Sequence, residues 1–193
     1  MQTVILKDHI TNQLNDEEFF QFCIENRDLR IERNSNLEII IMSPTSSLSG
    51  KINTEIIRQL SNWNVLKKTG EVFDSSTGFT LPDRSVFSPD ASWVSNAKWS
   101  ALTEEQKNSF SPVCPEFIIE IRSKSDSFQE MHNKMNKWIM NGCQLGWLID
   151  PLNKEVHSYK PGQSPEIVYG FTQPVHANVP VEGFVLDLSF LIA

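Results

Sequence analysis

The stretch Pro115-Glu116-Phe117-Ile118-Ile119-Glu120-Ile121-Arg122-Ser123 sets a carboxylate, Glu120, inside an otherwise apolar run of strand length. Burying an unpaired charge is costly, so a fold that keeps one there pairs it with a cation, a metal or a hydrogen-bond network. Upstream, Ser88-Pro89-Asp90-Ala91-Ser92-Trp93-Val94 carries a second acid, Asp90, at the edge of another buried strand. Two such acids on adjacent strands, with basic residues close behind, could build a site for a divalent metal and an anionic substrate.

Downstream, Ser127-Phe128-Gln129-Glu130 has the pattern of a capping box, so a helix is predicted to begin there. It turns Met131, Met135, Trp138 and Ile139 inward, with Gly142 as its C-cap. Residues 145–149 and 155–159 read as a hairpin around Pro151-Leu152-Asn153. The strand–helix–strand segment 116–150 suggests a right-handed crossover.

Upstream, residues 16–25 read as a short helix. Residues 29–33 and 37–42 read as strands joined by an Asn34-Ser35-Asn36 turn. Ser43-Pro44-Thr45-Ser46 opens a long helix to about residue 67, with Ile52, Ile56, Leu60 and Trp63 on its buried face. Gly70 is expected to end it. Short strands follow at 71–73 and 78–81, and an irregular stretch runs through Pro112. One or two more strands, such as 185–188, close the chain. With no repeat or linker, residues 1–193 read as one α/β (α+β) domain, of which the first ~15 form a loosely attached arm.

The length suffices for one real core. No apolar run approaches the ~20 residues that a membrane helix needs, and the N-terminus lacks a secretory-type apolar segment. No membrane association and a cytoplasmic location are therefore expected. Cys23, Cys114 and Cys143 are odd in number and far apart, and the four histidines lack ligand spacing, so neither a disulfide framework nor a zinc site is indicated. Net charge is −7, from 24 acids against 17 bases, which argues against a sequence-blind, high-affinity DNA coat. It leaves room for an enzyme with a local basic patch: residues 122–137 hold four bases against two acids.

The succession Ser88-Pro89-Asp90, Glu120-Ile121-Arg122-Ser123, a lysine-bearing helix and Gly146-Trp147-Leu148-Ile149-Asp150-Pro151 resembles the putative restriction endonuclease family, long catalogued as a domain of unknown function and assigned to the PD-(D/E)XK nuclease superfamily. The likeness covers roughly residues 15 to 190. It implies a restriction-endonuclease-like core, a mixed central sheet flanked by helices, with the N-terminal hairpin and C-terminal strands outside it. It also implies a metal-dependent endonuclease acting on DNA, with Mg²⁺ or Mn²⁺ held by Asp90 and Glu120. Cutting both strands of a duplex calls for two active sites, which a homodimer would supply.

In that superfamily's pattern a lysine sits two residues after the second acid, where this chain has Arg122. Arginine does not readily release a proton but can clamp a phosphate. The resemblance moves the lysine to the following helix, at Lys134, on the flank of its apolar face. Lys137 lies further round and is expected to be solvated. Glu55, on the long helix, is the candidate for an additional acid, and Arg122 and Lys124 are candidates for phosphate contact. Plainer readings stay open. Asp90 could be a strand-end acid making a turn. Glu120 could be half of a buried pair with Arg122 or Lys134, and Lys134 a helix-face lysine. Glu55 could pair with Arg58 or Lys51, and Asp126 suits helix capping better than catalysis. The alternative function is a nuclease-like binding module without turnover; a glycosidase using the two acids would need a sugar-stacking aromatic groove, and Trp93 and Trp99, which are available for it, fit core positions as well.

Overall fold

Alternating apolar positions on both faces are what a sheet covered on two sides requires, and the central strands have them. The computed structural model describes residues 3–6 and 14–192. Its six-stranded sheet has the order β11-β10-β9-β8-β7-β4, formed by β4 (Gly70–Asp74), β7 (Ala91–Ser95), β8 (Phe117–Ile121), β9 (Leu145–Asp150), β10 (Glu155–Tyr159) and β11 (Glu166–Tyr169). All pairings are antiparallel except β8 with β9, which are parallel and joined through helix α5 (Phe128–Met140).

Each face packs on one helix. Helix α2 (Ser47–Lys67) lays Ile52, Ile56, Leu60 and Trp63 against Ala91, Trp93, Phe117, Ile119, Trp147 and Ile149. Helix α5 lays Met135 and Trp138 against Val94, Ile118 and Leu148. By strand alternation, Glu120 shares the α5 face with Ile118.

A second sheet, ordered β1-β3-β2-β6-β5, is built from β1 (Thr3–Leu6), β2 (Arg30–Arg33), β3 (Ile39–Met42), β5 (Phe79–Thr80) and β6 (Val86–Phe87). Helix α1 (Asp16–Glu25) buries Phe19 beneath it, with Ile31, Ile39 and Val86. Fully buried Arg33 fastens α1: its guanidinium donates to the Asp16 carboxylate and to the carbonyls of Leu14, Asn15 and Arg84, and lies over the Phe19 ring. The C-terminal strands β12 (Val175–His176) and β13 (Val185–Leu186) pair with each other, and Phe184 and Leu186 close the α2-side core.

Several local expectations are corrected. Residues 3–6 are not a loose arm; they pair antiparallel with β3, satisfying its outer hydrogen bonds. The remainder of that expected arm, through residue 13, lies outside the described residues. Helix α2 ends at Lys68, which takes the left-handed conformation (φ 53°), rather than at Gly70. Gly70 instead opens β4, where a Cβ would lie 2.2 Å from the Val94 carbonyl oxygen and 2.5 Å from the Trp93 indole. Ser127 caps α5 without a side-chain hydrogen bond; the approach to the helix is held by Asp126, which accepts from the Ser123 N–H and receives Arg122 Nε on its carbonyl. The stretch 96–107 contains two short helices, α3 (Asn96–Ala101) and α4 (Glu104–Lys107), capped by Ser95 and Thr103.

Gly70→Ala is expected to lower unfolding free energy by about 2–3 kcal/mol, because backbone and indole must both move to admit one methyl group. Urea denaturation checks this; an unchanged midpoint would refute the close approach.

Candidate active site

Register brings the two acids together. Antiparallel pairing sets Ala91 opposite Ile119 and Ser92 opposite Ile118, so continuing it by one step sets Asp90 opposite Glu120 on the same face. Asp90 is half-buried at the mouth of β7. Its Oδ2 accepts the Ile121 N–H (2.8 Å) and its Oδ1 accepts from Asn53 Nδ2 of α2 (3.3 Å). Glu120 is only 3% exposed, and its Oε1 accepts from Trp138 Nε1 (3.0 Å) and lies 3.0 Å from Lys134 Nζ.

Lys134 meets a third carboxylate. Its Nζ lies 3.2 Å from Oε1 of Glu32, a residue of β2 that is 4% exposed. The same oxygen accepts the Ser88 N–H at 3.0 Å. Arg30, on the same side of β2, donates Nη2 to the Ser88 carbonyl (3.4 Å), and its Nε is buried with no hydrogen-bond partner among the described residues. Arg30, Glu32, Asp90, Glu120, Lys134 and Lys137 all border one open pocket. Asp90 and Arg30 also border a second depression at the N-terminal end of α2, so they stand on the wall between the two.

The electrostatics follow from crowding carboxylates around few cations. Burial pushes the Glu120 carboxyl up to about 7; Lys134 opposes this, while Asp90 and Glu32 reinforce it. Asp90 is raised for the same leading reason, against the pull of the Ile121 N–H, Arg30 and Lys134. Burial pulls the Lys134 ammonium down, but Glu120 and Glu32 together outweigh it and hold it above its ordinary value. Lys134 is therefore a fixed cation, suited to stabilising negative charge and unsuited to accepting a proton.

The expected site residues thus divide. Asp90, Glu120 and Lys134 converge, and the Glu120–Lys134 ion pair coexists with a place at the pocket. Glu55 does not join them: it is bound by Arg58 and by Gln59 Nε2 (3.0 Å), which hold its carboxyl below the ordinary range against a small opposing effect of burial. The α2 side chain that reaches Asp90 is Asn53. Arg122, expected at the phosphate, is committed elsewhere: Nη1 pairs with the fully buried Asp150 carboxylate at 2.6 Å. Asp150 must hold a charge without water, so it keeps Arg122 close. Lys124 is exposed and borders a neighbouring groove beside Thr45 and Ser46. Lys137, expected to be solvated, stands near the Phe87 ring at the pocket. Sequence reading missed Glu32, Arg30 and Asn53. The alternation Arg30-Ile31-Glu32 shows that the two charges share a face, but only packing shows that this face is the one turned to Lys134.

The donor set was tested against a divalent cation by its chemistry. Two facing carboxylates offer hard oxygens, and Mg²⁺ takes one or two carboxylates with waters and phosphate oxygens completing its shell. Among the described residues no group of three or more His, Cys, Asp and Glu is arranged to hold a metal, so a soft-metal or all-protein cage is not what this pocket offers. Burial raises the Glu120 carboxyl, Asp90 and Glu32 add to that rise against Lys134, and a small divalent ion beside it would favour the charged form. The residues fit the group. No helix among the described residues is long and apolar enough to cross a membrane.

Comparison with known proteins bears on the fold and the family. No curated protein matches the chain. A crystal structure described as a putative nuclease belonging to DUF820, from Anabaena variabilis ATCC 29413, superposes with a TM-score of 0.69 at 22% identity, covering 83% of this chain and 88% of that one. At that identity it shows the fold: a nuclease-like mixed sheet with flanking helices. The family model described as Uma2, putative restriction endonuclease, matches residues 16–189, nearly the whole chain from α1 onward. With both acids and the helix-borne lysine inside the matched segment, the chain belongs to the Uma2 family of putative restriction endonucleases.

Proposed function

We propose that the protein is a metal-dependent endonuclease that hydrolyses DNA phosphodiester bonds at the pocket of Asp90, Glu120 and Lys134. The observation that carries this reading is the Lys134 ammonium, 3.0 Å from Glu120 on the sheet face where Asp90 also lies. Asp90 and Glu120 would hold Mg²⁺ or Mn²⁺, which when bound neutralises the scissile phosphate and acidifies the attacking water. Lys134, anchored by carboxylates on two sides, directs a permanent positive charge at the developing phosphate charge. Arg30 takes the phosphate-contacting role expected of Arg122, since it borders both depressions and Arg122 is held by Asp150. The pocket lining sets the bases Arg30, Lys134 and Lys137 among the acids Glu32, Asp90, Glu120, Asp126 and Glu130, so a bound divalent cation together with these bases would let an acidic protein engage DNA there. Two copies of the chain would provide a site for each strand.

Two experiments test this reading. Under single-turnover conditions with a labelled duplex and Mg²⁺, Asp90→Asn, Glu120→Gln and Lys134→Gln should each slow cleavage at least ~100-fold. Arg30→Ala should chiefly weaken DNA binding, by about threefold to tenfold, and reduce its salt dependence. Metal-bound wild-type protein that binds DNA without cutting it would favour the binding module. The second experiment is a metal-free melt. The folded Glu120 carboxyl ionises near 7 instead of the ordinary 4.5, so its contribution to stability is complete below about pH 4.5 and is lost as pH rises through about 7. In chelator at pH 8, Glu120→Gln should therefore be more stable than wild type by on the order of 2 kcal/mol, and Mg²⁺ should raise the melting temperature of wild type only. A destabilised Glu120→Gln at pH 8 would make the Lys134 pair a purely structural one.

A further inference from the structure

Glu32 is a charged residue buried in a strand far from either motif, and charge balance does not explain its presence. Among the described residues, the only cation within ion-pair distance of it is Lys134, which already has Glu120 at 3.0 Å. A second carboxylate is not needed to neutralise one ammonium; it makes the cluster more negative and costs further desolvation. What it adds is direction. Its Oε1 receives Lys134 Nζ at 3.2 Å and the Ser88 N–H at 3.0 Å, so one atom joins α5 to the main chain that leads through Pro89 to Asp90. Arg30 holds the other main-chain group of the same residue, the Ser88 carbonyl, so β2 brackets the approach to Asp90 from both sides. The Phe87 ring stands 5.7 Å from Nζ and limits where else the ammonium can go.

We propose that Glu32 is a positioning residue of the active site: its carboxylate aims the Lys134 ammonium at the Glu120 side of the pocket and fixes the Ser88 main chain that presents Asp90. The N-terminal sheet is then a working part of the site rather than an appendage to it. This rests on the nuclease reading for its catalytic consequence, but the placement of the ammonium can be read without any turnover.

The experiment compares wild type, Glu32→Gln, Lys134→Gln and the double variant. Glutamine keeps an acceptor for the Ser88 N–H, so the fold should survive, which circular dichroism and melting verify. Glu32→Gln should slow single-turnover cleavage by roughly tenfold to a hundredfold while DNA affinity stays within about twofold. The double variant should cleave no more slowly than Lys134→Gln alone, because Glu32 acts through the lysine. Glu32→Asp keeps the charge but shortens the reach, and should restore little of the rate. Independently, the ammonium proton signal of Lys134, assigned by its loss in Lys134→Gln, should be sharp in wild type and broadened by exchange in Glu32→Gln. Wild-type cleavage by Glu32→Gln, multiplicative losses in the double variant, or an unchanged ammonium signal would each overturn the proposal. If wild type itself does not cleave under any divalent metal, the nuclease reading falls, and the ammonium signal alone decides whether Glu32 positions Lys134.

Discussion

The Lys134 ammonium, held between Glu120 at 3.0 Å and Glu32 at 3.2 Å, is the interaction on which the arrangement of the molecule turns. Glu120 belongs to the central sheet, Glu32 to the N-terminal sheet and Lys134 to the helix packed between them. Glu120 and Glu32 are each buried enough that removing the Lys134 ammonium would leave two carboxylates without their cation in a poor solvent, a loss of about 3–5 kcal/mol. The two sheets and α5 are therefore bound to one another by an obligation that no apolar contact imposes. Hydrophobic burial would tolerate sliding of β2 over α5; a shared ammonium does not.

The cost of this arrangement is visible in Glu120. Its neighbours on the same face are apolar: Ile118 before it on β8, Leu148 across the parallel pair and Trp138 above. An isoleucine there would pack as well and spare the desolvation of a charge. A fold that keeps the acid, and sets one of its oxygens against both Trp138 and Lys134, breaks the local rule in the way that functional sites do. Arg122 and Asp150 show the contrast. They also form a buried pair, but Asp150 accepts from the Leu152 and Asn153 N–H groups and from Arg122, and so holds the β9–β10 turn to the end of β8.

Much of the fold was legible in the chain because its signals are local. The apolar face of α2 at Ile52, Ile56, Leu60 and Trp63, the Asn34 turn and the parallel β8–α5–β9 unit all follow from periodicity and turn chemistry. Caps and edges were less so. Lys68 adopts a left-handed conformation that Gly70 was expected to supply, because Gly70 is needed where β4 passes against Trp93. Residues 3–6, expected to be part of an arm, form a strand that pairs along the edge of β3.

The same division runs through the site. Local pattern was enough to put Asp90 at a strand edge, to mark Glu120 as out of character in its run, and to set Lys134 on the flank of an amphipathic helix, since each depends only on residues within a few positions along the chain. Tertiary structure alone decided which of several cations answers Glu120, that Arg122 belongs to Asp150, that Glu55 turns to Arg58 while Asn53 reaches Asp90, and that Glu32 completes the cluster. The physical reason is that charges pair through space according to which buried face they share. That is set by how β2, α2 and α5 pack on the sheet, and residues 32 and 134 carry no mark of one another in the sequence.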